Sequence, residues 1–293
     1  MQIQWQADRE GQLSSFLKGE LKMSSGLMNK LKWGEGLQVN GIPRRTNYPV
    51  KPGDRITVCL DEEKPEFPPE QGPLQILYED SWLLAVDKPA GMLIHPSRSR
   101  NTGTLANLVA GYYEKTSQSC AFHPLTRLDR DTFGVVLLGK NAYIHTLLQQ
   151  APVEKIYHAL TLGVPEPAAG SVDLPIGRKP LPSLLREISP GGKPSLTEYE
   201  TLDQHSGIAM LSLRPVTGRT HQLRVHCAAI GCPILGDPQY GSPEAHEQFQ
   251  KMGLESQLLC AKSLRLPHPI SGEELLLCSR MDVSLEALQG SKA

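Results

Sequence analysis

The chain has 293 residues and a mass of 32.2 kDa, a length that suits two domains of ordinary size. Apolar residues make up 39% and charged residues 21%, which argues against an intrinsically disordered chain. There are 30 Lys and Arg against 31 Asp and Glu, and a net charge of −1 is not the basic balance of a nucleic-acid binder taken whole.

In chain order, the opening stretch MQIQWQADRE is polar and lacks the apolar core of a signal peptide. Leu13, Phe16, Leu17 and Leu21 share one helical face. Ser24 and Ser25 are N-cap residues for a second helix, with Leu27, Met28 and Leu31 inward. The stretch LQVNGIP reads as a strand ending on Asn40-Gly41, a hairpin signal, and Lys51-Pro-Gly-Asp54 turns into a strand at Arg55–Leu60. These elements outline a small α/β domain over residues 1–60. Residues 61–80 are acidic and rich in proline, and read as an interdomain linker stiffened by proline and extended by like charge. Charge divides accordingly: +4 over 1–60, −6 over 61–80 and +1 over the remainder.

From residue 81 to 285 short apolar runs predict strands at Trp82–Val86, Val135–Leu138, Ile156–Leu162, Met210–Leu213 and Leu275–Cys278. Helices are predicted at Leu105–Tyr113, Ala142–Gln150 and Thr220–Ile230. Strands outnumber helices without a regular βαβ alternation, so the class is α+β, and residues 286–293 form a C-terminal tail. No run approaches the roughly 18 apolar residues of a membrane helix. The six cysteines, at 59, 120, 227, 232, 260 and 278, form no CxxC pair and read as reduced thiols of a cytoplasmic protein.

Two stretches are dense in polar chemistry. In HPLTRLDRDTFG, residues 123–134, Asp129 and Asp131 lie among Arg127 and Arg130. A cation within about 4–6 Å keeps a carboxylate ionised and able to serve as nucleophile or base. Turn aspartates paired to arginine for structure fit the same pattern, and spacing alone does not choose between the two. In RPVTGRTHQLRVH, residues 214–226, Arg219 and Arg224 suit a phosphate or a carboxylate. His221 and His226 are five apart, about 140° around a helix, so they share no face for a metal. Asp87-Lys88-Pro-Ala-Gly91 adds a turn with a cation, and residues 178–194 form a Pro/Gly-rich loop of charge +3 suited to a phosphate backbone. Neither GxxxxGK[ST] nor a strand-borne GxGxxG is present, so no nucleotide cofactor is indicated.

Taken in order, DKPAGMLIHPS at 87–97, TRLDRDTFG at 126–134, EKIYHALTLG at 154–163, GGKPSLTEYETL at 191–202 and RPVTGRTHQLRVHCAAIGCPILGDPQYG at 214–241 resemble the RluA/RluD-type pseudouridine synthases. Residues 1–60, with LQVNG and KPGDRI, resemble the small α-L RNA-binding domain that often accompanies them. The resemblance implies a mixed, mainly antiparallel sheet around an RNA cleft, no cofactor and no metal. It implies Asp129 as the reacting aspartate, Tyr157 as the tyrosine against the target base, and Arg224 as the arginine paired to Asp129. It further implies Arg127 as a residue that holds RNA or fills the space of the extruded base. RNA contacts are expected from Arg219, His221, Lys88, Lys30, Lys32, Arg44 and Arg45. The family more often has His at the position of Thr126 and Ser at that of Phe133, and the phenyl ring, four residues from Asp129, is the larger change to the substrate pocket. Large-subunit ribosomal RNA is the expected substrate, with transfer RNA as the alternative, and a monomer is expected. A reading from another class is a non-catalytic RNA-binding or ribosome-assembly factor that keeps the fold.

Overall fold

The computed structural model describes residues 1–33, 35–63, 65–97, 100–253 and 256–285, so the expected tail at 286–293 lies outside the described residues. The N-terminal part contains β1 (Gln2–Gln6), β2 (Gly11–Gln12), α1 (Leu13–Gly19), α2 (Ser25–Trp33), β3 (Leu37–Val39), β4 (Ile42–Pro43), β5 (Pro49–Val50) and β6 (Arg55–Cys59). Four of these strands form one sheet in the order β1-β6-β3-β4. Leu13, Phe16 and Leu17 of α1 and Met28 and Leu31 of α2 are buried against it, and Ser24 Oγ accepts the Leu27 N–H at the start of α2. The Asn40-Gly41 hairpin forms with Val39 opposite Ile42. β1 escapes the sequence patterns because Gln2, Gln4 and Gln6 face outward and only Ile3 is buried.

The larger part runs β7 (Ile76–Glu79), β8 (Leu83–Lys88), α3 (Leu105–Lys115), β9 (His123–Pro124), β10 (Phe133–Gly139), α4 (Ala142–Gln150), β11 (Glu154–Leu162), β12 (Ala169–Asp173), β13 (Ile176–Arg178), β14 (Arg186–Ile188), β15 (Leu196–His205), β16 (Ile208–Pro215), α5 (Gln222–Ala229), α6 (Pro243–Lys251), β17 (Leu259–Pro267) and β18 (Glu274–Cys278). Its central sheet follows β12-β15-β16-β11-β17-β10-β8-β7, with β18 on β17 and β9 on β10. Every pair is antiparallel except β10–β17, so the class is α+β with a mixed, mainly antiparallel sheet.

Both faces of this sheet are covered. Along β8 and β10, Leu83, Ala85, Val135 and Leu137 face a cluster that includes α4, while Leu84, Val86, Val136 and Leu138 face α3. Thr104 and Asn107 cap α3 reciprocally, and Asn141 caps α4. Gly134 sits where β10 meets β17, at φ +110, and a Cβ there would lie 2.3 Å from the Ala261 carbonyl oxygen. β15 and α6 are missed by sequence patterns because β15 is mostly solvated and carries Glu198, Glu200 and Asp203, while α6 buries only Ala245.

One expectation about organisation is corrected: residues 61–80 are not an interdomain linker throughout, because part of the stretch belongs to the larger fold. β7 is a strand of the central sheet, Phe67 packs on His95 and Phe122, and the chain passes so close to α3 that a Cβ on Gly111 would lie 2.0 Å from the Glu70 carbonyl oxygen. Its acids are used as bonds: Glu63 Oε2 lies 2.7 Å from His123 Nε2, and Glu63 Oε1 accepts the Ala142 N–H at the start of α4. The N-terminal part also packs on the larger one. The Tyr143 hydroxyl donates to the Leu21 carbonyl at 2.5 Å, and one apolar cluster runs from Ile3 and Phe16 to Leu83, Val135, Tyr143 and Leu264.

Candidate active site

The 126–132 loop leads into β10 and one wall of a cleft of about 570 Å³; β11, the 215–221 turn and the start of α5 supply the others. Asp129, Tyr157 and Arg224, far apart in sequence, line it together with Arg127, Arg219 and His221.

Asp129 is half-buried, and its Oδ2 accepts from Arg224 Nη1 at 2.9 Å. Arg224 is held from behind: Nε and Nη2 donate to the two oxygens of Asp237, each at 2.7 Å, and Nη2 also donates to Gln239 Oε1 at 2.9 Å. Asp237 is fully buried and further accepts the N–H groups of Gln239 and Tyr240. Burial opposes the Arg224 charge, but the bonds to Asp237 and Asp129 outweigh it and hold the guanidinium more firmly protonated than usual. One side of Asp129 is thus anchored to a fixed cation, and 30% of its side chain stays exposed toward the cleft.

Tyr157 stands on β11 beside a bulge, in register with Leu213 and Ala261. Burial, reinforced by the Asp129 charge, raises its phenol well above the ordinary range, so it remains a protonated hydroxyl. Arg127 is exposed on the cleft and makes no hydrogen bond or ion pair among the described residues. Arg219 is exposed and spends Nε on the Pro194 carbonyl at 3.1 Å. His221 sits directly before α5 in the left-handed region, at φ +58, with Nε2 3.7 Å from Asp129 Oδ1. His226 is turned into the core, where its nitrogens meet Thr197 Oγ1 and the Leu174 carbonyl.

Three expectations are revised by geometry. Lys88 does not face RNA. It is fully buried and donates to the carbonyls of Pro89, Met92 and Arg130, each at 2.9 Å, so all three N–H bonds pin the DKPAG turn to the aspartate loop. Phe133 does not crowd the cleft. Its ring packs away from it, with Leu160, Leu235 and Cys260. Residues 178–194 are not a plain loop, because β13 and β14 pair as a hairpin with Leu181 and Leu184 exposed near its tip. Thr126 lines the cleft, and its buried hydroxyl has no hydrogen-bond partner among the described residues.

Lys30, Lys32, Arg44 and Arg45 lie in the N-terminal part, outside the cleft. Lys30 pairs with Asp61 at 2.9 Å. The others gather at aromatic rings: Lys32 Nζ is 4.9 Å and Arg45 Cζ 5.6 Å from the Trp33 ring centroid, and Arg44 is 4.4 Å from that of Tyr48. Sequence reasoning missed Trp33, which is 72% exposed, because an aromatic at a helix end reads as core. It also missed Asp237 and Tyr240, whose available signal was GDPQYG at the end of the arginine-bearing block.

A mixed sheet whose cleft gathers an arginine-held carboxylate, a protonated phenol and exposed arginines suits an enzyme that acts on an anionic polymer. A family model described as RNA pseudouridylate synthase matches residues 82–229. The chain is 34% identical over 276 residues to an uncharacterised RNA pseudouridine synthase, YhcT, of Bacillus subtilis, covering 90% of this chain and 88% of that one. It is 34% identical over 250 residues to ribosomal large subunit pseudouridine synthase D of Haemophilus ducreyi, covering 81% and 77%. The solved human RNA pseudouridylate synthase domain containing 1 superposes with a TM-score of 0.61 at 27% identity, over 76% of this chain and 90% of that one. The chain belongs to the RluA/RluD-type family of RNA pseudouridine synthases and is an isomerase acting on RNA.

Proposed function

We propose that the enzyme isomerises one defined uridine of large-subunit ribosomal RNA, with Asp129 as the reacting carboxylate. The observation that carries the catalytic part is the Arg224–Asp129 bond at 2.9 Å in a cleft open enough for a nucleoside. In the reaction the N1–C1′ bond of uridine breaks, the base turns, a C5–C1′ bond forms, the C5 proton leaves and N1 takes up a proton, so no group donor enters. A stacked uridine is out of reach, and flipping it out costs a few kcal/mol. Arg127 and Arg219 supply charge to hold the backbone beside the extruded nucleotide, and Tyr157 offers a ring face for the base. The ribosomal substrate is favoured by likeness to proteins named for large-subunit ribosomal RNA. Residues 1–60 serve as an RNA-binding domain, with Trp33 a stacking face flanked by Lys32 and Arg45. The enzyme works as a cytoplasmic monomer in this reading.

Asp129→Asn is expected to abolish release of C5 tritium from labelled uridine RNA while RNA binding persists; a variant with full activity contradicts the assignment. Mapping pseudouridines in total RNA from cells with and without the gene names the substrate. Loss of one large-subunit site is expected, a lost tRNA site moves the substrate to tRNA, and an unchanged map favours the non-catalytic factor.

A further inference from the structure

One oxygen of Asp129 is held by Arg224, and the other faces His221, whose place in the cleft needs an account beyond RNA contact. The hydrogen-bond polarities around His221 can be worked out. The backbone N–H of Arg186, on β14, donates to the Tyr240 hydroxyl at 2.8 Å. That hydroxyl carries one proton, and its other polar neighbour among the described residues is His221 Nδ1, at 2.9 Å. That leaves the phenol proton available to Nδ1. Burial raises the Tyr240 phenol and lowers the His221 imidazole, which favours a neutral ring accepting from a protonated phenol. With Nδ1 accepting, the ring proton sits on Nε2, and Nε2 is 3.7 Å from Asp129 Oδ1, which can only accept. Tyr240 also lies against the other holder of Asp129, since Arg224 Cζ is 4.9 Å from its ring centroid.

We infer that His221 is a positioning residue for Asp129: Tyr240 locks it in the Nε2–H tautomer, and it donates to Oδ1 so that Arg224 and His221 together fix both carboxylate oxygens. At 3.7 Å the contact is longer than a hydrogen bond, and the ring has to close on Oδ1 in the substrate complex, where catalytic hydrogen bonds often tighten. The same chain of bonds ties the β13–β14 hairpin, with its exposed Leu181 and Leu184, to the reacting carboxylate through Arg186 and Tyr240. The left-handed backbone of His221, at φ +58, is the local cost of aiming the ring this way. The inference rests on Asp129 as the reacting group.

Two substitutions separate positioning from structure. His221→Gln places an amide N–H where Nε2 stood, whereas His221→Asn reaches only the Nδ1 position. Asparagine is the better residue in a left-handed backbone, so His221→Asn is expected to be the more stable of the two. The expected activity order is the reverse. Single-turnover rates should fall about tenfold or more in His221→Asn and stay within about threefold of wild type in His221→Gln, because a lost bond to a charged group costs at least a factor of ten. Tyr240→Phe should slow turnover without weakening RNA binding. Equal losses in both His221 variants, rates that follow stability, or a change confined to RNA affinity would overturn the inference. Asp129→Asn separates the two failures: if it is inactive and His221→Asn is unimpaired, only the role of His221 falls.

Discussion

Lys88 is a cation turned inward, and its consequences can be measured. Replacing it with Met leaves the carbonyls of Pro89, Met92 and Arg130 without donors in a dry interior. Lys88→Met is expected to cost about 3 kcal/mol at neutral pH, with RNA affinity unchanged at temperatures where the variant is folded. The cost depends on pH. Burial lowers the ammonium from its ordinary 10.5 to about 8, against the pull of Asp131 and Asp129. Below pH 8 both folded and unfolded chains carry the proton; between 8 and 10.5 only the unfolded chain does, so wild-type stability gains with rising pH there. Methionine has no such proton, and urea unfolding across this window should show the gap between wild type and variant widening. A gap that narrows would contradict a buried ammonium. The sequence shows Lys88 only as one more basic residue near a turn. What makes it structural is a carbonyl 42 positions away, at Arg130.

At the scale of elements, the junction of β10 and β17 sets where Asp129 stands. It is the one parallel strand pair of the central sheet among the described residues, through Phe133 and Gly134 on one side and Cys260 and Ala261 on the other. Gln257 Nε2 reaches across to Thr132 Oγ1 at 2.8 Å, so the loop carrying Asp129 is tied to β17 at its end. Gly134→Ala would put a methyl group against the Ala261 carbonyl at a positive φ, an overpacking and backbone cost of about 3 kcal/mol. Thermal unfolding should show that loss, and turnover should fall with it because the aspartate loop shifts. A Gly134→Ala protein of wild-type melting temperature would show that β10 and β17 are not so closely apposed. Sequence periodicity located β8 and β10, whose apolar runs are buried on both faces, and also β11, β16 and β18, whose apolar runs are only partly buried. It passed over β12 and β15, which are mostly solvated, and β17, where Lys262, Ser263 and Arg265 interrupt the apolar run.

For the whole molecule, the near-zero net charge averages over parts with different work. The +4 of residues 1–60 and the −6 of residues 61–80 lie side by side, and part of that acid is spent at home: Asp61 pairs with Lys30, and Glu63 joins His123 and the start of α4. The cations around Trp33 remain for a polyanion. Trp33→Ala is therefore expected to lower RNA affinity roughly tenfold, the worth of one stacked base, with turnover at saturating RNA unchanged. Affinity of the wild type should fall as salt rises, since phosphate contacts release counterions. Filter binding at several salt concentrations tests both, and salt-independent binding would remove the N-terminal domain from the RNA interface.

Periodicity and turn residues made the α+β class of the catalytic part legible, because those signals are local to each element. The choice of Asp129 over Asp131, and of Tyr157 and Arg224 as its companions, came from the resemblance of the motifs in order to a known family, since spacing within one block does not distinguish a reacting aspartate from a turn aspartate. The tertiary structure alone decided what each polar residue faces. It set Lys88 on carbonyls instead of phosphates, turned the ring of Phe133 into the core, and placed Asp237 behind Arg224 and Tyr240 behind His221. Burial and hydrogen-bond partners come from strands that neighbour in space and not in sequence, so the direction in which a charge points is written in the packing of the sheet.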